Sequence, residues 1–135
     1  MPPGSGRKFG IYLPKDIERD LNHLVKELNL SSKSKLFQEA LRLFIVENKW
    51  RIVRGRIAGA IGLLYNHDIG GTDEMITRIQ HKYIDVIVSS IHVHLDEEKC
   101  LLTIIVRGDV NRVKELYKEL HGVTGVLLMR PVFLE

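Results

Sequence analysis

The chain has 135 residues, 44% of them hydrophobic, and a mean hydropathy of −0.04, enough for one modest core or two small ones. It lacks any run of about 18 apolar residues, which argues against a membrane span, and its single cysteine excludes an internal disulfide, so a reducing cytoplasm is the expected location. The net charge of +3 hides an uneven spread: residues 1–54 hold eleven Lys and Arg against six Asp and Glu, the remainder nine against eleven with five of the six histidines.

Residues 1–6, Met-Pro-Pro-Gly-Ser-Gly, favour loops, bury little and lack the apolar core of a signal peptide, so they read as a mobile arm. Arg7 to Leu13 alternates strictly, with Phe9, Ile11 and Leu13 on one face and Lys8, Gly10 and Tyr12 on the other, which predicts one short strand. Pro14 stops it and suits the first turn of a helix. Ile17, Leu21, Leu24, Val25 and Leu28 then fall at helical spacing, so a helix is expected from Lys15 to about Leu28. Asn29 fits a left-handed end, Ser31, Ser32 or Ser34 a new cap, and a second helix should run to about Asn48.

A strand followed by two helices leaves the strand without a partner in its own domain. A two-fold dimer solves this, each strand pairing antiparallel with its copy and presenting Lys8 and Tyr12 twice on a ribbon that fits the major groove of double-stranded DNA. The segment resembles the ribbon-helix-helix repressors, and Ser32-Lys33-Ser34 resembles their phosphate-anchoring turn, where exposed amides and nearby lysines suit a phosphate. The bland alternative is a plain helical hairpin with solvated lysines.

Trp50 to Arg56 reads as a basic connector with a domain boundary near Val53, giving residues 7–53 and 54–135. Beyond it the pattern predicts a strand from Ile57 to Tyr65, with Gly59 and Gly62 where another backbone approaches closely, and a helix from Thr72 to about Lys82. Strands follow at Asp85–Leu95 and Cys100–Arg107, then a helix capped by Asp109, then a last strand from Gly125 to Phe133. Arg107-Gly108-Asp109 is therefore a strand-to-helix turn. The order β-α-β-β-α-β is that of ferredoxin-like, ACT-type regulatory domains, so the fold class is α+β, with one sheet face left for association.

Two histidines stand two residues apart, His92 and His94, and the sole cysteine, Cys100, six residues after the second. On a strand both imidazoles leave one face. If the loop through Asp96-Glu97-Glu98 is three residues long, Cys100 lies opposite His94 and a thiolate joins two nitrogens, whereas two or four residues would turn it away. The competing reading makes them ordinary strand residues and the cysteine a small hydrophobe. The ligands are expected at a strand edge and hairpin, outside the core.

With its basic front, the whole chain from about Lys8 onward resembles the nickel-responsive repressors called NikR, whose HVH…C run stands here as His92-Val93-His94 and Cys100. The resemblance implies His81, eleven residues before His92, as a fourth ligand reaching in from a neighbouring subunit. It also implies a homotetramer built as a dimer of dimers, Tyr65 beside the ligands and His67 as an auxiliary histidine. Its function would be a nickel-dependent repressor of metal-uptake genes acting on a DNA operator, without enzymatic activity. Three imidazoles and a thiolate also suit zinc or copper(II). Where relatives carry a base-contacting side chain this chain has Gly10, so base readout falls to Lys8 and Tyr12. Lys35 stands where relatives often have an acidic residue, and Leu63 and Leu102 where they often have polar groups. The alternative is a DNA-binding regulator whose ACT-like domain senses a small molecule or another metal.

Overall fold

Pro14 adopts an extended conformation, with φ −56° and ψ 149°, and so stands just before the first helix rather than inside it. Its carbonyl accepts from the Glu18 amide at 2.9 Å. The structure, a computed structural model, describes residues 4–134; residues 1–3 of the expected arm lie outside that range. Helix α1 (Lys15–Glu27) carries Asp16 and Glu18 in its first turn and Lys26 in its last, the charge order that a helix dipole favours. Asn29, at φ 51°, ends it in the left-handed region, where asparagine is tolerated. Helix α2 (Lys33–Lys49) is capped by Ser32, whose Oγ accepts from the Lys35 amide at 3.3 Å.

The strand expected over residues 7–13 is not formed in the single chain. Among the described residues nothing pairs with this segment, and an isolated extended strand leaves every backbone group to water, so its alternation has no sheet to act on. Phe9, Ile11 and Tyr12 are exposed, and neither α1 nor α2 holds a buried residue.

The chain divides into two compact units between Leu41 and Arg42, inside α2, whereas the sequence pattern set a boundary near Val53. The cause is Trp50: its ring is buried in the second unit, edge-on to Phe133 and Tyr117 at 4.6 and 5.1 Å, so the end of α2 belongs with that core.

The second unit runs β1 (Arg56–Asn66), α3 (Thr72–Lys82), β2 (Ile87–His94), β3 (Lys99–Asp109), α4 (Val110–His121) and β4 (Val126–Leu134). Its four-stranded antiparallel sheet has the order β2-β3-β1-β4, which is the ferredoxin-like arrangement expected from the sequence. Alternation does the sorting: Ile61 and Leu63 of β1 and Leu102, Ile104 and Val106 of β3 are buried with Val113 and Leu116 of α4, while the residues between them face the other way. That other face is left open and apolar, with Ile91, Val93, Leu128 and Val132 exposed. Asp109 caps α4, its carboxylate accepting from the Asn111 and Arg112 amides at 2.9 and 3.2 Å. The Arg-Gly-Asp run, expected as a turn, is instead the end of β3, where it pairs with Ala58, Ile57 and Arg56 of β1 and runs directly into the helix. No helix among the described residues is long and apolar enough to cross a membrane.

Of the two glycines in β1, only Gly59 meets a close backbone. A Cβ there would overlap the Val132 carbonyl oxygen, while one on Gly62 meets nothing nearer than 3.6 Å. Gly59→Ala is expected to destabilise the protein by about 1–3 kcal/mol and Gly62→Ala to be tolerated, because the first overfills a backbone contact that cannot yield. Thermal unfolding of the two variants checks this; equal midpoints would contradict it.

Candidate metal centre

The hairpin that joins β2 to β3 is set by one acidic side chain. Asp96 Oδ1 accepts from the Glu98 and Lys99 amides at 2.9 and 2.7 Å, and the Leu95 amide donates to the Lys99 carbonyl at 2.9 Å. The loop is therefore Asp96-Glu97-Glu98, three residues, and the register places His94 opposite Cys100 and His92 opposite Leu102. Both histidines thus leave the sheet on the face of Cys100. Their rings lie 4.8 Å apart, and His94 Nδ1 is 3.2 Å from Cys100 Sγ.

On the other side of β3, Cys100 pairs with Tyr65 of β1. The Tyr65 hydroxyl donates to Asp73 Oδ1 at 2.8 Å and stands 3.2 Å from His92 Nε2. Burial, and then the hydrogen bond to Asp73, push the tyrosine well above its ordinary range, so it stays a phenol. Cys100 is fully buried and counts among the core residues, contrary to the expectation that the ligands lie outside the core. The reason is that its inward row continues through Leu102, Ile104 and Val106. Burial, followed by the charge of Asp73, pushes its thiol up.

His67 completes the cluster. Its amide donates to the Glu98 carbonyl at 2.9 Å, which draws the loop after β1 against the hairpin, and its ring lies edge-on to His94 at 5.7 Å. Donor atoms of His67, His94 and Cys100 lie within 4.8 Å of one another, the one group among the described residues with that potential. The histidines and thiolate together suit a divalent transition ion such as nickel, copper or zinc.

His92 is not in that group of three, its Nε2 being turned to the Tyr65 hydroxyl, and neither is His81. The latter is exposed in the last turn of α3, a turn held firmly to α4. Arg112 donates to the Lys82 carbonyl at 2.8 Å and to Asp85 at 3.0 Å, and its guanidinium lies 4.1 Å over the Tyr83 ring. Glu119 accepts from Lys82 and from the Tyr83 hydroxyl, and these partners, Lys82 foremost, hold its carboxyl below the usual range.

In the first unit, Lys8 and Tyr12 are exposed on irregular backbone, Lys33 opens α2, and Ser34 Oγ accepts from Gln38 Nε2 at 3.4 Å. Asp73 escaped the sequence reading: an aspartate in a helix's first turn reads as a dipole partner, and only the fold brings it to Tyr65. His67 entered only through family resemblance.

Fold and cluster define a class: a ferredoxin-like domain in which the β2–β3 hairpin and the loop after β1 bring together donors that suit a transition metal, preceded by a helical pair. A family profile described as the NikR C terminal nickel binding domain matches residues 58–133. A protein of Dictyoglomus turgidum with the provisional name nickel-responsive regulator is 38% identical over 119 residues, covering 88% of each chain. One of the same name from Methanocaldococcus jannaschii is 39% identical over 120 residues, covering 88% of this chain and 85% of that one. The chain belongs to the NikR family, whose named relatives are regulators and not enzymes. An uncharacterized protein of Thermotoga maritima shares the fold, with a TM-score of 0.54 at 15% identity over 60% of this chain and all of that one.

Proposed function

We propose that the protein is a nickel-responsive, sequence-specific DNA-binding regulator that represses metal-uptake genes. The observation that carries this reading is the hairpin register, which sets His94 Nδ1 3.2 Å from Cys100 Sγ with His92 alongside. His92, His94 and Cys100 hold one nickel ion per subunit, and His81 of a second copy supplies the fourth ligand. Nickel accepts such a set of nitrogens and one thiolate in a square plane, while copper(II) and zinc are competitors decided by geometry. The open apolar sheet face, with Ile91, Val93, Leu128 and Val132, supports association of copies into a tetramer.

The first unit supports a ribbon-helix-helix reading. Residues 7–13 alternate and expose Phe9 and Ile11, while α1 and α2 bury nothing of their own, as expected of a half that is completed by its copy. In the dimer, paired strands carry Lys8 and Tyr12 into the major groove, and Ser32, Lys33 and Ser34 anchor a phosphate at the start of α2.

The decisive experiment titrates the metal-free protein with nickel(II), following the sulfur-to-nickel charge-transfer absorption. Operator duplexes recovered from random DNA are then bound with and without nickel. One nickel per subunit and roughly a 5–150-fold rise in duplex affinity are expected, the usual span of an allosteric coupling. His81→Ala should retain nickel on three ligands yet lose the rise. Duplex binding that ignores nickel, or that responds instead to a small metabolite, overturns the reading.

A further inference from the structure

Tyr65 has one hydroxyl hydrogen and two neighbours that want it. Asp73 Oδ1 lies 2.8 Å away and His92 Nε2 3.2 Å away. A carboxylate only accepts, so the hydrogen goes to Asp73, and the lone pairs of the same oxygen are turned toward His92. Cys100, which Tyr65 also faces, is only a weak acceptor as a thiol. The nitrogen opposite those lone pairs must then carry the hydrogen itself. Tyr65 is buried and stacked on the His92 ring, with centroids 6.0 Å apart and planes 26° from parallel, and the His94 ring lies 4.8 Å from that of His92.

We propose that Asp73 is a positioning residue for the metal centre: by taking the Tyr65 hydroxyl hydrogen it holds His92 as the Nε2–H tautomer and leaves Nδ1 as its metal-donor atom. The inference rests on the reading of His92 as a nickel ligand. The arrangement is a carboxylate–histidine pair with a phenol inserted, and such outer partners fix both the tautomer and the orientation of a ligating imidazole. A divalent ion on Nδ1 makes the Nε2–H a stronger donor, so the chain from His92 through Tyr65 to the Asp73 carboxylate tightens when the ion binds. Asp73 lies in the first turn of α3 and His81 in its last, so the one helix is tied to the centre at one end by this chain and offers a ligand at the other.

The test uses the full-length protein and four variants: Asp73→Ala, Asp73→Asn, Tyr65→Phe and the double Asp73→Ala/Tyr65→Phe. In the metal-free state, two-bond proton–nitrogen correlations of the His92 ring should show Nε2–H in the parent and in Asp73→Asn, whose amide oxygen still accepts. Asp73→Ala should shift it toward Nδ1–H, because the freed hydroxyl then donates to Nε2. Nickel(II) affinity should fall about 10–100-fold in Asp73→Ala, be largely rescued in Asp73→Asn, and be no lower in the double variant than in Tyr65→Phe alone. A parent His92 protonated on Nδ1 overturns the proposal, as do additive losses or an Asp73→Ala variant with parental tautomer and affinity. The tautomer is read without metal, so a parent that binds no nickel would sink the functional reading while this result still decides the role of Asp73.

Discussion

Trp50→Ala is expected to destabilise the protein by about 3–5 kcal/mol, the range for removing a large buried aromatic. Trp50 is 4% exposed and fills the space between the Phe133 and Tyr117 rings, with the Arg51 guanidinium 5.1 Å from its own ring centre. Its indole Nε1 is buried without a hydrogen-bond partner among the described residues. An unpaired buried N–H costs about 1–3 kcal/mol, so the ring contributes packing while its nitrogen works against it. Trp50→Phe keeps an aromatic body and removes the N–H, and should therefore stay within about 1 kcal/mol of the parent. Urea unfolding of the metal-free protein, compared at constant slope, checks both. An alanine variant as stable as the phenylalanine one would show that the end of α2 is not part of the core.

The same residue shows where sequence patterns stop. Trp50 follows a helix and precedes Arg51, Arg54 and Arg56, so its surroundings in the chain are those of a connector. Its burial depends on Phe133 and Tyr117, more than 60 residues away, which no local periodicity encodes. In contrast, the ferredoxin-like half was legible almost to the residue, since strand alternation, a helix cap at Asp109 and 3.6-residue spacing are local signals. The hairpin lay between these cases. Alternation fixed that His92 and His94 share a face, but three loop lengths were open, and the choice fell to Asp96 accepting from two amides. Residues 7–13 were legible as a strand pattern and yet form none, because the pattern asks for a partner that a single chain lacks. His81 belongs with them: its proposed role needs a second copy.

Cys100→Ala should lower nickel affinity by more than the roughly 10–100-fold that loss of an outer partner costs, because it removes the only thiolate from the donor set. The fold should survive. Cys100 is fully buried, but it lies at the end of its inward row, and alanine loses one sulfur's contacts without placing a polar group in the core. Cys100→Ser is the harsher test of stability, since it buries a polar hydroxyl beside Tyr65, whose own hydrogen goes to Asp73, and leaves it His94 Nδ1 as its partner. The thiol also sets a pH dependence whose sign follows from its burial. Its pKa is raised, so it is protonated in the metal-free protein at neutral pH, and nickel must displace that proton to bind. Affinity should then climb about tenfold per pH unit between pH 6 and the thiol's own pKa, one proton being released for each ion bound at the sulfur. In Cys100→Ala that proton is missing, so fewer protons are released for each ion bound. Calorimetric titration in buffers of different ionisation enthalpy counts the released protons directly. Equal counts for parent and Cys100→Ala at pH 7.5 would mean that the sulfur is not a ligand, and the donor set would have to be rebuilt from imidazoles alone.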